Sequence, residues 1–234
     1  MSIIFSEWGP EGAGEFDGVA AVIIIVDVLS FSTCVDIAVG RGATVYPCAS
    51  EDDGAAAAWL ASSIGAELAG RRGSSARFSL SPASLFSIAQ GAKLVLPSPN
   101  GSAISAIPRT TPVLAGCLRN ARAVAAKAIA IAGDGPVAVV PAGEQWPSGS
   151  LRPAVEDLIG AGAIIEELRL PCSAEAEVAR QAFLGARAAL PELLRTCFSG
   201  RELSERAYLE DIEVAAALNV SITAPMLIDG AYRS

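Results

Sequence analysis

The chain contains no histidine in 234 residues. A Ser-His-Asp triad, a Cys-His pair, a phosphohistidine intermediate and the usual His-bearing zinc sites are therefore excluded. Lysine is nearly absent too: of seventeen basic residues only Lys93 and Lys127 are lysine, and the other fifteen are arginine. Against twenty-five acidic residues this leaves a net charge of −8, without the dense basic surface that a phosphate backbone requires, so nucleic acid is not an expected partner. The five cysteines (Cys34, Cys48, Cys117, Cys172, Cys197) are odd in number and show no Cys-x-x-Cys spacing, which argues against a disulfide framework and a structural zinc site. No apolar run approaches the roughly 20 residues that span a bilayer. The N-terminal MSIIFSEWGPEG has no basic flank before an apolar core, so it does not read as a secretory signal. No membrane association is expected, and the expected location is the cytoplasm. Chemistry is left to carboxylates, hydroxyls, thiols, arginine, lysine and a hard metal ion.

What is present suits a large core: 52% of the residues are hydrophobic and 18% charged. The run Val19–Val26 is eight apolar, largely β-branched residues ending at one carboxylate, Asp27, followed by Ser30, Ser32 and Thr33. Continuous Val/Ile runs mark strands buried on both faces, and α/β sheets bind ligands beyond their strands' carboxyl ends. Asp27 is thus a candidate site residue, or it starts a turn or caps the next helix; the two readings weigh equally. Further strands are predicted over Ala43–Cys48, Lys93–Pro97, Pro112–Cys117 and Val137–Pro141. Helices are predicted over Thr33–Val39, Asp53–Leu68, Pro82–Gln90, Gly101–Ile107 and Asn120–Ala132. The β-α alternation predicts a mostly parallel central sheet with flanking helices. After Pro141 the pattern turns helical, over Pro153–Leu168, Ala174–Leu190, Arg201–Tyr208 and Glu210–Leu218, with Ser221–Ile228 as an edge strand. The chain reads as a single unit, 1–234, or divides into a sheet core, 1–141, and a helical lobe, 142–234. Arg71–Ser81 and Glu144–Arg152 read as loops.

Several candidates sit where strands end. Ser98-Pro99-Asn100-Gly101-Ser102 opens a helix and offers backbone N–H groups to an anion; Arg119 and Asn120 follow the next strand; Glu144 follows the fifth. Glu156 and Asp157 fall in a first helical turn, where dipole stabilisation of about 0.3–1 kcal/mol each also accounts for them. Gly160 and Gly162 inside that helix point to close backbone approach. An abundance of Arg suits a pocket for a small anion; biased composition, which also explains the many alanines, is the blander account.

The ordered set VDVLSFST (26–33), FSLSPASL (78–85), SPNGS (98–102), LRNARAVA (118–125), PAGE (141–144), EDLIGAGAI (156–164), SGREL (199–203) and the late Asp211 resembles the 2-phosphosulfolactate phosphatase family of ComB-like proteins. The resemblance implies an α/β fold and Mg²⁺-dependent removal of phosphate from 2-phosphosulfolactate, in methanogens a step towards coenzyme M. It implies a small anionic phosphorylated substrate, and it leaves a homo-oligomer open. Asp27, Glu156 and Asp157 are the catalytic and metal-ligating candidates. Ser30, Ser32, Thr33, Asn100, Gly101, Ser102, Arg119 and Asn120 are the substrate-binding candidates. Without histidine, Mg²⁺ on oxygen ligands is the expected means of offsetting phosphate charge. Cys117 is the weaker choice of nucleophile, since an apolar strand raises a thiol's pKa. Where the family carries Arg-Ala after Asp-Val-Leu, this chain has Ser30-Phe31, and the family's Gly-Asn-Ser-Pro segment shortens to Leu80-Ser81-Pro82. A phosphatase of 2-phosphosulfolactate or a related phosphorylated acid is the first reading, with Arg119, Arg152 or Arg201 replacing the missing guanidinium. The alternative is a catalytically weak relative that binds an anionic metabolite or a protein.

Overall fold

The computed structural model describes residues 2–49 and 54–234. The strand before Asp27, β2, runs Val22–Val26 with all five side chains buried, while Val19, 61% exposed, stays outside it. Alternation sends Val22, Ile24 and Val26 to one face of the sheet and Ile23 and Ile25 to the other, where each meets a different helical layer. Full burial of each such side chain contributes roughly 1.5–3 kcal/mol, enough for this strand to anchor a buried carboxylate at its end.

In chain order the elements are β1 (Ile4–Ser6), α1 (Gly9–Phe16), β2, α2 (Phe31–Gly40), β3 (Thr44–Cys48), α3 (Ala55–Ile64), β4 (Glu67–Leu68), a 3₁₀ turn Pro82–Ser87, β5 (Lys93–Pro97), α4 (Gly101–Ser105) and β6 (Val113–Gly116). There follow α5 (Ala121–Ala132), β7 (Val137–Pro141), the small hairpin β8 (Glu144–Gln145) and β9 (Leu151–Arg152), α6 (Val155–Leu168), α7 (Ala174–Ala186), α8 (Leu190–Thr196), α9 (Phe198–Glu205), α10 (Leu209–Ala216), β10 (Met226–Ile228) and β11 (Ala231–Arg233). The fold is α/β, with a large, mostly parallel sheet ordered β1-β7-β2-β6-β10-β11-β3-β5-β4. One face carries α5 to α8 and α10; the other carries α1, α2, α4 and the Pro82–Ser87 turn.

Four differences from the sequence reading have physical causes. The segment expected at a sheet edge, Ser221–Ile228, instead supplies β10, and β10 with β11 forms a hairpin inside the sheet, antiparallel to β6 and to β3. Its turn is Asp229-Gly230, both with positive φ, a pair that suits a two-residue hairpin. The hairpin is locked by Tyr232, fully buried, whose hydroxyl lies 2.7 Å from Ser105 Oγ. Secondly, β1 joins the sheet edge parallel to β7, from a segment too short to show alternation. Thirdly, the helix expected to Leu190 breaks after Ala186 and resumes as α8, with Pro191 in its first turn. Fourthly, the helix expected over Asp53–Leu68 ends at Ile64, where Gly65 takes a left-handed φ of 64°, and Glu67–Leu68 forms β4 instead; Asp53 lies outside the described residues. No helix among the described residues is long and apolar enough to cross a membrane.

Candidate active site

The turn after β2 is assembled by its own hydroxyls. Ser32 Oγ accepts from Asp27 N at 3.1 Å and donates to Ile25 O, and Thr33 Oγ1 donates to Val28 O at 2.8 Å. Both hydroxyls are thus engaged with backbone. They hold the Asp27 carboxylate at the start of α2, where Oδ1 accepts the Phe31 N–H at 3.0 Å. Capping is therefore one thing that Asp27 does. Its other oxygen, Oδ2, accepts the Gly101 N–H at 3.0 Å, although four strands separate β2 from β5 in sheet order. Only glycine allows this approach: a Cβ at residue 101 would stand 2.3 Å from Phe31 Cδ1 and 2.8 Å from Asp27 Oδ2. Ser102 is buried, with its hydroxyl turned back to Leu96 O.

Three more carboxylates gather around Asp27. Asp157 accepts the Val28 N–H at 2.7 Å and the Gly143 N–H at 2.9 Å, tying the first turn of α6 to the ends of β2 and β7. Glu144 accepts from Asn100 Nδ2 at 2.7 Å. Glu156 is buried and its Oε2 has no hydrogen-bond partner among the described residues. Burial, aided by the Glu156 charge and opposed by the Phe31 and Gly101 N–H groups, pushes Asp27 up to about 6. Burial and the Asp27 charge push Glu144 up to about 7, and burial with the Asp27 and Glu156 charges lifts Asp157 well above the usual carboxylate range. Mutual repulsion of this kind favours uptake of protons or of a cation. Among the described residues no group of three or more His, Cys, Asp or Glu side chains is arranged to hold a metal ion unaided. An all-oxygen donor set with one orphaned oxygen nevertheless fits a hard cation of the Mg²⁺ kind, which takes one or two carboxylates and completes its shell with water and phosphate oxygens.

The cations nearby differ from those expected. Ser30 accepts a 2.6 Å hydrogen bond from Arg72 Nη2, so a guanidinium does reach this turn, contributed by the Arg71–Ser81 segment. Arg72 is oriented by the buried Asp211, whose Oδ2 accepts its Nε at 3.3 Å. Asp211 Oδ1 meanwhile accepts Ser81 Oγ at 2.6 Å and the Ala83 N–H at 3.1 Å, fixing the shortened Leu80-Ser81-Pro82 stretch. Arg152 is buried, donates to Ser199 Oγ and lies 4.4 Å from the centre of the Phe198 ring, close enough to lower the Glu144 pKa. Arg201 also packs on Phe198, at 5.9 Å. The structure does not bring Arg119 and Asn120 to the carboxylate group. Arg119 pairs with Asp36 at 2.9 Å and donates to Val214 O, while Asn120 spends its amide on Cys117 N and Ala115 O as a local cap. Sequence reasoning missed Arg72 because a Ser/Gly-rich loop advertises no site. Its one signal was the serine standing where the family has arginine.

Burial pushes the Cys117 thiol up to about 12, and burial with the Glu156 charge does the same to Cys197, so neither is a thiolate near neutral pH. The groups gathered at these strand ends are oxygen donors, framed by two guanidiniums. None of the curated proteins matches the chain. A family model described as 2-phosphosulpholactate phosphatase matches residues 10–230, nearly the whole length. The chain therefore belongs to the 2-phosphosulpholactate phosphatase family, a family of phosphoric monoester hydrolases.

Proposed function

We propose that this phosphatase hydrolyses 2-phosphosulfolactate or a related phosphorylated small acid in an Mg²⁺-dependent reaction at Asp27. The observation that carries the reading is Arg72 bonded to Ser30 on the turn that presents Asp27, with the orphaned Glu156 Oε2 acting on the same carboxylate. Asp27 and Glu156 would hold Mg²⁺, which would supply charge neutralisation and a more acidic attacking water. Asp157, with both oxygens on backbone N–H groups, holds the turn and the first turn of α6 together. Arg72 grips phosphate oxygens and supports the charge that grows on them during transfer. Glu144, with a pKa of about 7, retains its proton long enough to give it to the departing alkoxide, and Asn100 keeps it aimed. Water adds to phosphorus, the P–O ester bond breaks, and the products are inorganic phosphate and the hydroxy acid.

Phosphate release from 2-phosphosulfolactate tests the reading. Activity is expected with Mg²⁺ or Mn²⁺, to vanish with a chelator, to survive thiol alkylation and to fall at least about 100-fold in Asp27→Asn. Chelator-resistant, thiol-sensitive turnover would move the chemistry to a cysteine and sink the proposal.

A further inference from the structure

We propose that the cavity beside Arg72 is a second anion subsite, and that it selects phosphorylated acids whose second anionic group sits at the far end of an aliphatic arm. The inference rests on the reading of the strand-end carboxylates as the phosphate site, and it names a substrate class for it. The cavity measures about 550 Å³, against about 260 Å³ for the recess flanked by Asn100 and Glu144. That size lies in the range of roughly 300–1,000 Å³ typical of small-molecule pockets, and a three-carbon acid leaves most of it empty. Its charged lining residues are Arg71, Arg72 and Arg206, with no carboxylate among the described residues that line it.

Arg71 and Arg206 stand apart from the other lining groups. Neither guanidinium has an ion-pair, hydrogen-bond or ring partner among the described residues, whereas Arg119, Arg122, Arg180 and Arg195 are all paired. Arg72 is shared: Nε and Nη2 are spent on Asp211 and Ser30, and Nη1 has no partner among the described residues. Between the cations the wall is aliphatic, formed by Leu68, Leu80 and Pro97, and Leu68 is 37% exposed. Two features join the cavity to the catalytic turn. Arg72 reaches from its wall to Ser30, and Pro97 ends the strand whose following loop delivers the Gly101 N–H to Asp27. One sign of charge beyond an apolar waist fits a ligand with phosphate at the turn, methylene groups along the leucines and a terminal carboxylate or sulfonate at Arg71 and Arg206. The planar guanidinium fork suits either end group.

Isothermal titration with 2-hydroxysuccinate and 2-hydroxyadipate tests the subsite without turnover, since the two carry the same charges on arms of different length. The longer acid is expected to bind at least about tenfold tighter, and Arg71→Ala/Arg206→Ala to remove that preference. Arg109→Ala/Arg233→Ala takes the same charge from the surface elsewhere and should keep it. Equal affinities, or a preference that survives the Arg71/Arg206 change, overturn the subsite. With phosphorylated 2-hydroxyadipate as substrate, the Arg71/Arg206 variant should show KM raised about tenfold and kcat within about threefold. A fall in kcat at constant KM overturns the proposal instead. Selective binding of the long diacid without any phosphate release would support the subsite and overturn only the phosphatase mechanism drawn at Asp27.

Discussion

Arg72 shows how a single charged group can be supplied from a different place in the chain. The guanidinium is tethered by Asp211 and touches Ser30 Oγ, so it acts on the turn that presents Asp27 from outside. Charge-assisted hydrogen bonds contribute about 1.5–3 kcal/mol. Arg72→Ala is therefore expected to lower kcat/KM for 2-phosphosulfolactate by about 10- to 100-fold. Adding Ser30→Arg to that variant should restore much of the loss, whereas Ser30→Arg beside an intact Arg72 sets two cations against each other and should bring little gain. Steady-state kinetics on the three proteins checks this; an equal deficit in Arg72→Ala and in the double variant would mean that Arg72 serves packing alone. Gly101 belongs to the same scale: Gly101→Ala must push either Phe31 or Asp27 aside, so activity should fall in a protein that remains folded.

At the scale of elements, α6 is the organiser. Its first turn brings Glu156 and Asp157 to the strand ends, and its glycines let it sink towards its neighbours. A Cβ on Gly160 would lie 2.5 Å from Val28 Cγ2, and one on Gly162 would lie 2.1 Å from Ala179 O of α7. The close backbone approach expected from these glycines is found at Gly162; Gly160 instead makes room for the side chains of Val26 and Val28. Alanine normally stabilises a helix by about 1 kcal/mol relative to glycine. At Gly162 the collision with backbone outweighs this, and overpacking of that kind costs about 1–3 kcal/mol. Gly162→Ala should therefore lower the unfolding free energy by that amount, and Gly185→Ala on α7, where a Cβ meets open space, should raise it by about 0.4–1 kcal/mol. Urea titration of the two variants distinguishes them; equal stabilisation of both would show that α6 and α7 can separate without cost.

For the whole molecule, the buried carboxylates set the pH response. Asp27, Glu144 and Asp157 all hold their protons more tightly in the folded chain than in the unfolded one. The native state then binds more protons, so stability falls as pH rises. Their contribution is complete below about pH 4 and lost as pH climbs through about 6 for Asp27 and about 7 for Glu144. Asp17 works in the opposite sense at acid pH, since N–H groups of Arg109, Thr110 and Thr111 hold its pKa down; its exposure makes that effect small. In chelator, Tm should be lower at pH 8 than at pH 5, and millimolar Mg²⁺ should raise it at pH 8 far more than at pH 5, where the carboxylates keep their protons. Identical Mg²⁺ shifts at both pH values would argue against a cation among these groups.

The sequence by itself determined the parts that depend on local pattern. An unbroken Val/Ile run ending in Asp27 marked a doubly buried strand, Ala-rich segments between apolar runs marked the helical layers, and ordered short motifs carried the family. Ser221–Ile228 read as an edge strand, and nothing local showed that β10 and β11 would form a hairpin inside the sheet. What only the tertiary structure decided is which polar groups meet. Asp27 and Gly101 are 74 residues apart, Asn100 and Glu144 44, and Ser81 and Asp211 130. Arg119 and Asn120 follow a strand as faithfully as Asp27 does, yet their hydrogen bonds go to Asp36 and to local backbone. Periodicity specifies which face of an element is apolar; it carries no information on the rotation and crossing of distant elements, and those bring Arg72 and Arg152, out of fifteen arginines, to the four gathered carboxylates.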